Sequence, residues 1–281
     1  ASSIQQQEFY CQIVKKAISE IKNGIFKKIV LSRTKSIELF NDFNPISFFS
    51  KLCHIYPNSL ISLVSIPRIG TWLGASPEIL LTINKNNIFS TMAMAGTQIF
   101  NPGTSPKKAA WTQKEIEEQA LVSRFIINCF KKIRLREFEE EGPKTIIAGN
   151  LMHLRTDYTV DMNAVNFPQL GTVMLDLLHP TSAVCGMPEN ESMEFIIANE
   201  NYDREFYTGY LGPVNMPCQV ETPDTTETHL FVNLRCMQLL ENKAILYAGS
   251  GITEDSEPES EWEETELKCK TILDVIQIIK C

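Results

Sequence analysis

The sequence predicts an α+β fold with large antiparallel sheets flanked by helices, and three observations carry that prediction. Short strand-like runs follow one another between residues 60 and 93, separated by Pro67, Pro77 and Asn86-Asn87, the pattern of a meandering antiparallel sheet. Long helical stretches open, interrupt and close the chain. No Pro/Gly/Ser-rich linker, internal repeat or low-complexity tract divides the 281 residues, so a single domain spanning residues 1–281 is expected.

The elements follow in order. From Gln5 to Asn23, the residues Phe9, Ile13, Val14, Ala17, Ile18 and Ile21 share one helical face, and Asn23-Gly24 ends the helix. Lys28 to Arg33 (KIVLSR) reads as a short buried strand and Pro45 to His54 as a helix. The meander supplies strands at Leu60 to Ile66, Gly70 to Ala75, Glu78 to Ile83 and Ile88 to Ala93. Asn101 to Lys108 (NPGTSPKK) reads as a loop, and Thr112 to Glu140 as one long helix, acidic at its start and of mixed charge at its end. Strands are expected at Thr145 to Ala148 and Leu151 to Tyr158, with helices near Pro168 to Leu178 and Glu191 to Glu200. Further strands are expected at Leu230 to Leu239 and Ala244 to Ala248, an exposed loop at Met216 to Thr228, and a last helix from Pro258 to Ile279.

Composition narrows the function. With 43% hydrophobic and 21% charged residues the chain is an ordinary globular protein. No apolar run approaches the roughly 18 to 20 residues that span a bilayer, and Ala1 to Gln7 lacks the blocks of a signal peptide, so no membrane partner and a cytoplasmic location are expected. The net charge of -8 argues against nucleic acid as a partner, because phosphate binding needs clustered Lys and Arg. The eight cysteines form no CxxC pair and accompany four histidines, so they read as small buried hydrophobes rather than zinc ligands.

The carboxylates are the first anomaly. Glu115 and Glu118 are three apart on one expected helix, and Glu261 and Glu264 three apart on another, so each pair projects from one helical face. Each could be a solvated face near a helix N-terminus, where the dipole favours Glu. If the pairs converge, four carboxylates repel one another unless a hard dication such as Mg²⁺ lies between them. Helix spacing alone does not show convergence. Gly249-Ser250-Gly251 reads as a glycine turn whose small residues let backbone N–H groups approach an anion; it lacks the spacing of a nucleotide loop. Arg235, mid-strand in FVNLRCMQL, needs a partner for its charge, either a structural carboxylate or a ligand's.

The ordered set KIVLSR, GTWLGASPEILL, MAGT, KEIEEQALV, LMHL, LLHPTSAVCGMP, YDREFYTG, FVNLRCMQL and LYAGSGI followed by SEWEETELK covers most of Lys28 to Lys270. Together these motifs resemble the chorismate-utilising enzymes, and within them the isochorismate synthases of menaquinone or siderophore pathways. The resemblance implies the anthranilate synthase component I fold, with the active site between two sheets and Mg²⁺ on acidic helices. It implies a general base at Lys28, activating water for attack at C2 of chorismate, and a general acid at Glu78, protonating the departing C4 hydroxyl. It makes Glu118 and Glu261 direct metal ligands, with Glu115 and Glu264 as second carboxylates. Arg235 and the backbone of Gly249, Ser250 and Gly251 would hold the enolpyruvyl carboxylate, and Lys268, Gly96 and Thr97 the ring carboxylate. His153 would line the pocket near the leaving group.

Three positions choose among relatives. Lys28 is typical of enzymes that add water rather than ammonia, and Ala95 replaces the nucleophilic Lys of many aminodeoxychorismate synthases. Ala183, ending HPTSA, resembles isochorismate synthases, whereas salicylate synthases tend to carry Thr there. Water addition to chorismate without pyruvate elimination is therefore expected. The alternatives are a salicylate synthase, which would release pyruvate, another amine-adding relative, or a silent metal-binding scaffold, which would not need Lys28 and Glu78 together. Many relatives carry a hundred or more residues before the first helix, and this sequence does not. A monomer is expected, with a dimer as the alternative.

Overall fold

The computed structural model describes residues 3–100, 105–106, 109–148, 151–217 and 225–280. Two antiparallel sheets face each other across a cleft, with helices on their outer faces. The first sheet contains β1 (Lys28–Glu38), β2 (Leu60–Ile66), β3 (Gly70–Ser76), β8 (Gly186–Met187), β12 (Cys236–Leu239) and β13 (Lys243–Ile252), in the order β2-β3-β12-β13-β1-β8. The second contains β4 (Ile79–Ile83), β5 (Ile88–Ile99), β6 (Glu139–Ala148), β7 (Leu151–Asp161), β10 (Met216–Pro217) and β11 (Thr226–Val232), in the order β10-β11-β4-β5-β7-β6, with β9 (Tyr210–Leu211) paired to β11. The α+β reading with large antiparallel sheets therefore holds.

Helices α1 (Ser3–Lys22), α2 (Pro45–Ile55) and α6 (Pro258–Lys280) cover the first sheet, and α3 (Gln113–Lys132) and α4 (Leu170–Leu178) cover the second. A fifth helix, α5 (Glu189–Asn199), packs beside β8 and β1. Alternation along β1 organises one wall: Ile29 and Leu31 join Val14, Ala17 and Phe26 in a buried cluster under α1, so Lys28 and Val30 turn to the cleft. On the other sheet Leu80, Phe89 and Val160 bury against Phe130 of α3 and Met174 of α4. Among the described residues no helix is long and apolar enough to cross a membrane.

The structure corrects four boundaries. The helix expected to reach Glu140 stops at Lys132, because Arg134 adopts a left-handed φ of 58° and Leu135 N–H bonds back to Phe130 O. Glu139 to Glu141 instead open β6, an edge strand whose exposed acids suit a sheet border. The expected strand from Leu230 to Leu239 is two strands in different sheets, and Arg235, with φ 48°, sits in the crossover rather than mid-strand. Gly249-Ser250-Gly251 is no turn; it lies within β13, paired with β1 from Gly249 opposite Ser32 to Gly251 opposite Val30. The ends of the expected Met216 to Thr228 loop pair as β10 and β11, while residues 218–224 and most of the Asn101 to Lys108 loop lie outside the described residues.

Candidate active site

The cleft between the sheets, about 680 Å³ including its open mouth, is lined from both walls and from α3 and α6. That is the size of a small-molecule site. Of the residues the sequence singled out, Lys28, Glu78, Ala95, Gly96, Thr97, Glu118, His153, Ala183, Arg235, Gly249, Gly251, Glu264 and Lys268 all border it.

At one end every charge is paired. Lys28, 1% exposed at the start of β1, places Nζ 3.0 Å from Glu118 Oε1 on α3. Gly251 makes the pair possible: a Cβ there would stand 2.0 Å from Glu118 Oε1 and 3.0 Å from Lys28 Cε. Burial alone would raise the pKa of Glu118, but the charges of Lys28, Lys114 and Lys268 outweigh it and hold the carboxylate below its ordinary range. On α6, Glu264 and Lys268 pair at 2.6 Å, one turn apart, and Lys268 also donates to Gly249 O at 2.8 Å. Glu261, one turn earlier and fully buried, pairs with Lys114 of α3. Burial and the neighbouring Glu264 push the Glu261 carboxyl up despite that partner.

At the other end the polar groups stand open. Glu78 follows β3 after Ser76-Pro77, anchored through its backbone to Ser76 Oγ and to Val232 N–H. It is 6% exposed and, among the described residues, has no ion-pair partner. Burial raises its pKa to about 7, against the opposing pull of Lys28, Lys268 and Arg235. His153 on β7 donates Nδ1–H to Gly96 O at 2.7 Å, which leaves Nε2 as a buried acceptor without a partner. Burial and Arg235 lower its pKa to about 3, so the ring is neutral. Arg235 Nη1 is likewise buried and unpartnered. Gly96, at φ 71°, forms the bulge that breaks the β5–β7 register between Ala95 and Gln98 and brings its carbonyl to His153.

Two expected site residues turn elsewhere. Glu115 is the third residue of α3 and closes a capping box with Thr112, its Oε2 accepting from Thr112 N–H at 2.7 Å and from Gln98 Nε2 at 3.0 Å. Ser250 lies on the far face of β13, 0% exposed, with Oγ 2.8 Å from Tyr10 Oη. Conversely, the cleft uses groups to which the sequence reading gave no role. Tyr207 and Tyr247 stack at 5.5 Å along its floor, and Gly249 leaves room for the Tyr207 hydroxyl, which would meet a Cβ at 3.0 Å. Arg204 grips Glu200 through two nitrogens and donates to Val30 O and Val184 O, tying together two segments of the cleft wall. Tyr207 and Arg204 sit in the quoted motif YDREFYTG, so the signal was present as a motif without a role.

Among the described residues no three His, Cys, Asp or Glu side chains stand together as a ready metal site, because a lysine holds each carboxylate of the α3–α6 pair. The donor chemistry nonetheless fits a hard dication. Glu118, Glu261 and Glu264 all act on the Lys114 ammonium, and the buried Oε2 of Glu261 has no partner.

Comparison with known proteins gives a consistent result. A family model described as chorismate binding enzyme matches residues 1–277. The chain is 28% identical over 278 residues to the isochorismate synthase EntC of Escherichia coli K12, covering 97% of this chain and 68% of that protein. It is 28% identical over 284 residues to the isochorismate synthase DhbC of Bacillus subtilis, covering 96% and 68% respectively. The solved structure of DhbC from Bacillus anthracis superposes with a TM-score of 0.82 at 27% identity, covering 98% of this chain and 73% of the other. The chain belongs to the chorismate binding enzymes.

Proposed function

We propose that this chorismate-binding enzyme converts chorismate to isochorismate. The observation that carries the reading is the pairing, across one cleft, of a buried lysine from the first sheet with a buried carboxyl whose pKa is about 7. A carboxyl poised there is protonated in a large fraction of molecules at neutral pH and can act as an acid. Ala95, lining the same cleft, offers a methyl group and no nucleophile, which supports attack by free water.

In the proposed reaction the neutral amine of Lys28, its ammonium proton first lost to solvent, takes a proton from water as its oxygen bonds to C2. Both conjugated ring double bonds shift by one position, and the C4 oxygen leaves as water with the proton from Glu78. The product is an isomer of the substrate, and return of one proton from Lys28 to Glu78 through solvent restores the enzyme. Arg235, whose Nη1 is buried without a partner, would meet the enolpyruvyl carboxylate and Lys268 the ring carboxylate, and His153 Nε2 would accept a hydrogen bond from a substrate hydroxyl. Glu118, Glu261 and Glu264 would hold Mg²⁺, which when bound would neutralise carboxylate charge and polarise the ring. Glu115 supports this set by capping α3.

Purified protein incubated with chorismate and Mg²⁺, with products separated, tests the reading. Isochorismate as the main product without stoichiometric pyruvate is expected, together with loss of activity in chelator. Salicylate with equimolar pyruvate would replace the reading by a salicylate synthase, and an aminated product by an amine-adding relative.

A further inference from the structure

Lys114 is the charged residue of the site that the proposed chemistry leaves unused. It is the second residue of α3, where the positive end of the helix dipole disfavours a cation. Its side chain is only 24% exposed, a further cost for an ammonium. What holds it there is acid. Its Nζ contacts Glu261 Oε1, and Glu264 and Glu118 add attraction, so that its charged form is favoured despite burial. The match is incomplete from the acid's side: beyond Lys114 the Glu261 carboxyl has only the influence of the Ser256 hydroxyl, and its buried Oε2 has no partner at hydrogen-bond geometry. Beside this contact a groove between α3 and α6, lined by Thr97, Thr112, Lys114, Glu118 and Glu264, adjoins the cleft and gives the four-carbon stem of Lys114 somewhere to swing.

We propose that Lys114 is a resident counter-ion that a divalent cation must displace from Glu261, so that this lysine sets how tightly the acidic helices take their metal. The inference rests on the reading that Glu118, Glu261 and Glu264 hold such a cation. A dication offers Glu261 two charges and several coordination positions where the ammonium offers one charge and leaves an oxygen bare. The displaced ammonium, moving into the groove, stays near enough to repel the ion that replaced it. In the cation-free protein the same lysine relieves the repulsion between Glu261 and Glu264.

Mn²⁺ alone, titrated into chelator-treated protein and followed by electron paramagnetic resonance of the free ion, tests this without substrate or turnover. The native protein should bind Mn²⁺, Lys114→Gln about tenfold more tightly, Lys114→Arg no more tightly than native, and Glu261→Gln at least tenfold more weakly. In chelator Lys114→Gln should melt below the native protein, and Mn²⁺ should raise its melting temperature by more. Equal or weaker Mn²⁺ binding by a folded Lys114→Gln, with Glu261→Gln still impaired, would overturn the role of Lys114 and leave the cation reading standing. Absence of binding by native and Lys114→Gln alike would overturn both. Should Lys114→Gln fail to fold, the lysine Nζ resonances of the native protein under Mg²⁺ titration decide. The Lys114 signal, assigned by its loss in Lys114→Arg, should move on saturation, and a stationary signal would overturn the proposal.

Discussion

The two ends of the cleft solve opposite problems. At the α3–α6 end, three lysines face three carboxylates, Lys28 with Glu118, Lys114 with Glu261 and Lys268 with Glu264, so the cluster is neutral as it stands. At the opposite end Glu78 has no ion pair among the described residues, and Arg235 Nη1 and His153 Nε2 are buried with no partner. Buried polar groups left open cost folding free energy of about 1–3 kcal/mol each, so their persistence marks a place where a ligand completes the hydrogen bonding. The paired end can accept a new cation by exchange. The open end can accept an anion by addition.

The difference is broken most severely by removing the reacting groups themselves, one from each end. Lys28→Ala and Glu78→Gln should each lower turnover of chorismate about a hundred- to ten thousandfold, the scale of lost acid-base catalysis, with circular dichroism showing both variants folded. Near-native isochorismate formation by either variant would remove that residue from the chemistry and leave its end of the cleft as a binding wall.

A second test reads the open end through stability. The Glu78 carboxyl has its pKa raised in the fold to about 7 from an ordinary value of 4.5. The fold therefore favours the protonated form, and the contribution is full below pH 4.5 and lost as pH rises through about 7. The loss amounts to about 3 kcal/mol. Glu78→Gln cannot lose it, so in the absence of substrate its stability relative to the native protein should grow by about that amount between pH 4.5 and 8, as measured by urea unfolding. A difference independent of pH would mean that Glu78 ionises as an ordinary surface carboxyl, and the contrast between the two ends would fail.

How far this site was legible in the sequence follows the same division. Lys28, Glu78, His153 and Arg235 were readable because ordered motifs carry them, and the cleft does gather them. The α+β class was readable from the meander between residues 60 and 93. What failed was whatever depends on a neighbour distant in sequence. Leu230 to Leu239 alternates like one strand, and nothing local shows that Asn233 bonds to Gly209 and Phe206 so that the chain changes sheets at Arg235. Glu139 to Glu141 resemble the charged end of a helix until pairing with β7 places them at a sheet edge. Glu115 looks like a second metal carboxylate by spacing, but the same spacing from Thr112 makes a capping box, and the cap is what formed. Lys114 was hidden by its acidic neighbours in sequence, although a cation at the start of a helix is itself a weak signal.

The finest test of the cleft's wall is a single step along β13. Gly249 and Gly251 face the cleft, whereas Ser250 between them faces α1, because successive residues of a strand point to opposite sides. The glycines serve close approach, Gly251 to the Lys28–Glu118 pair and Gly249 to Tyr207. Ser250 serves packing: its hydroxyl meets Tyr10 Oη at 2.8 Å, while Tyr10 also donates to Leu31 O at 3.2 Å. Ser250→Ala should therefore cost about 1 kcal/mol of stability, the usual net value of one buried hydrogen bond, since Tyr10 keeps its second partner. The KM for chorismate and the turnover number should both stay within about twofold of native, because backbone N–H groups are retained and no side-chain atom reaches the cleft. Urea unfolding and steady-state kinetics on one preparation separate the two effects. A rise in KM well beyond twofold with unchanged stability would place the Ser250 hydroxyl on the substrate and reverse the assignment of faces along β13.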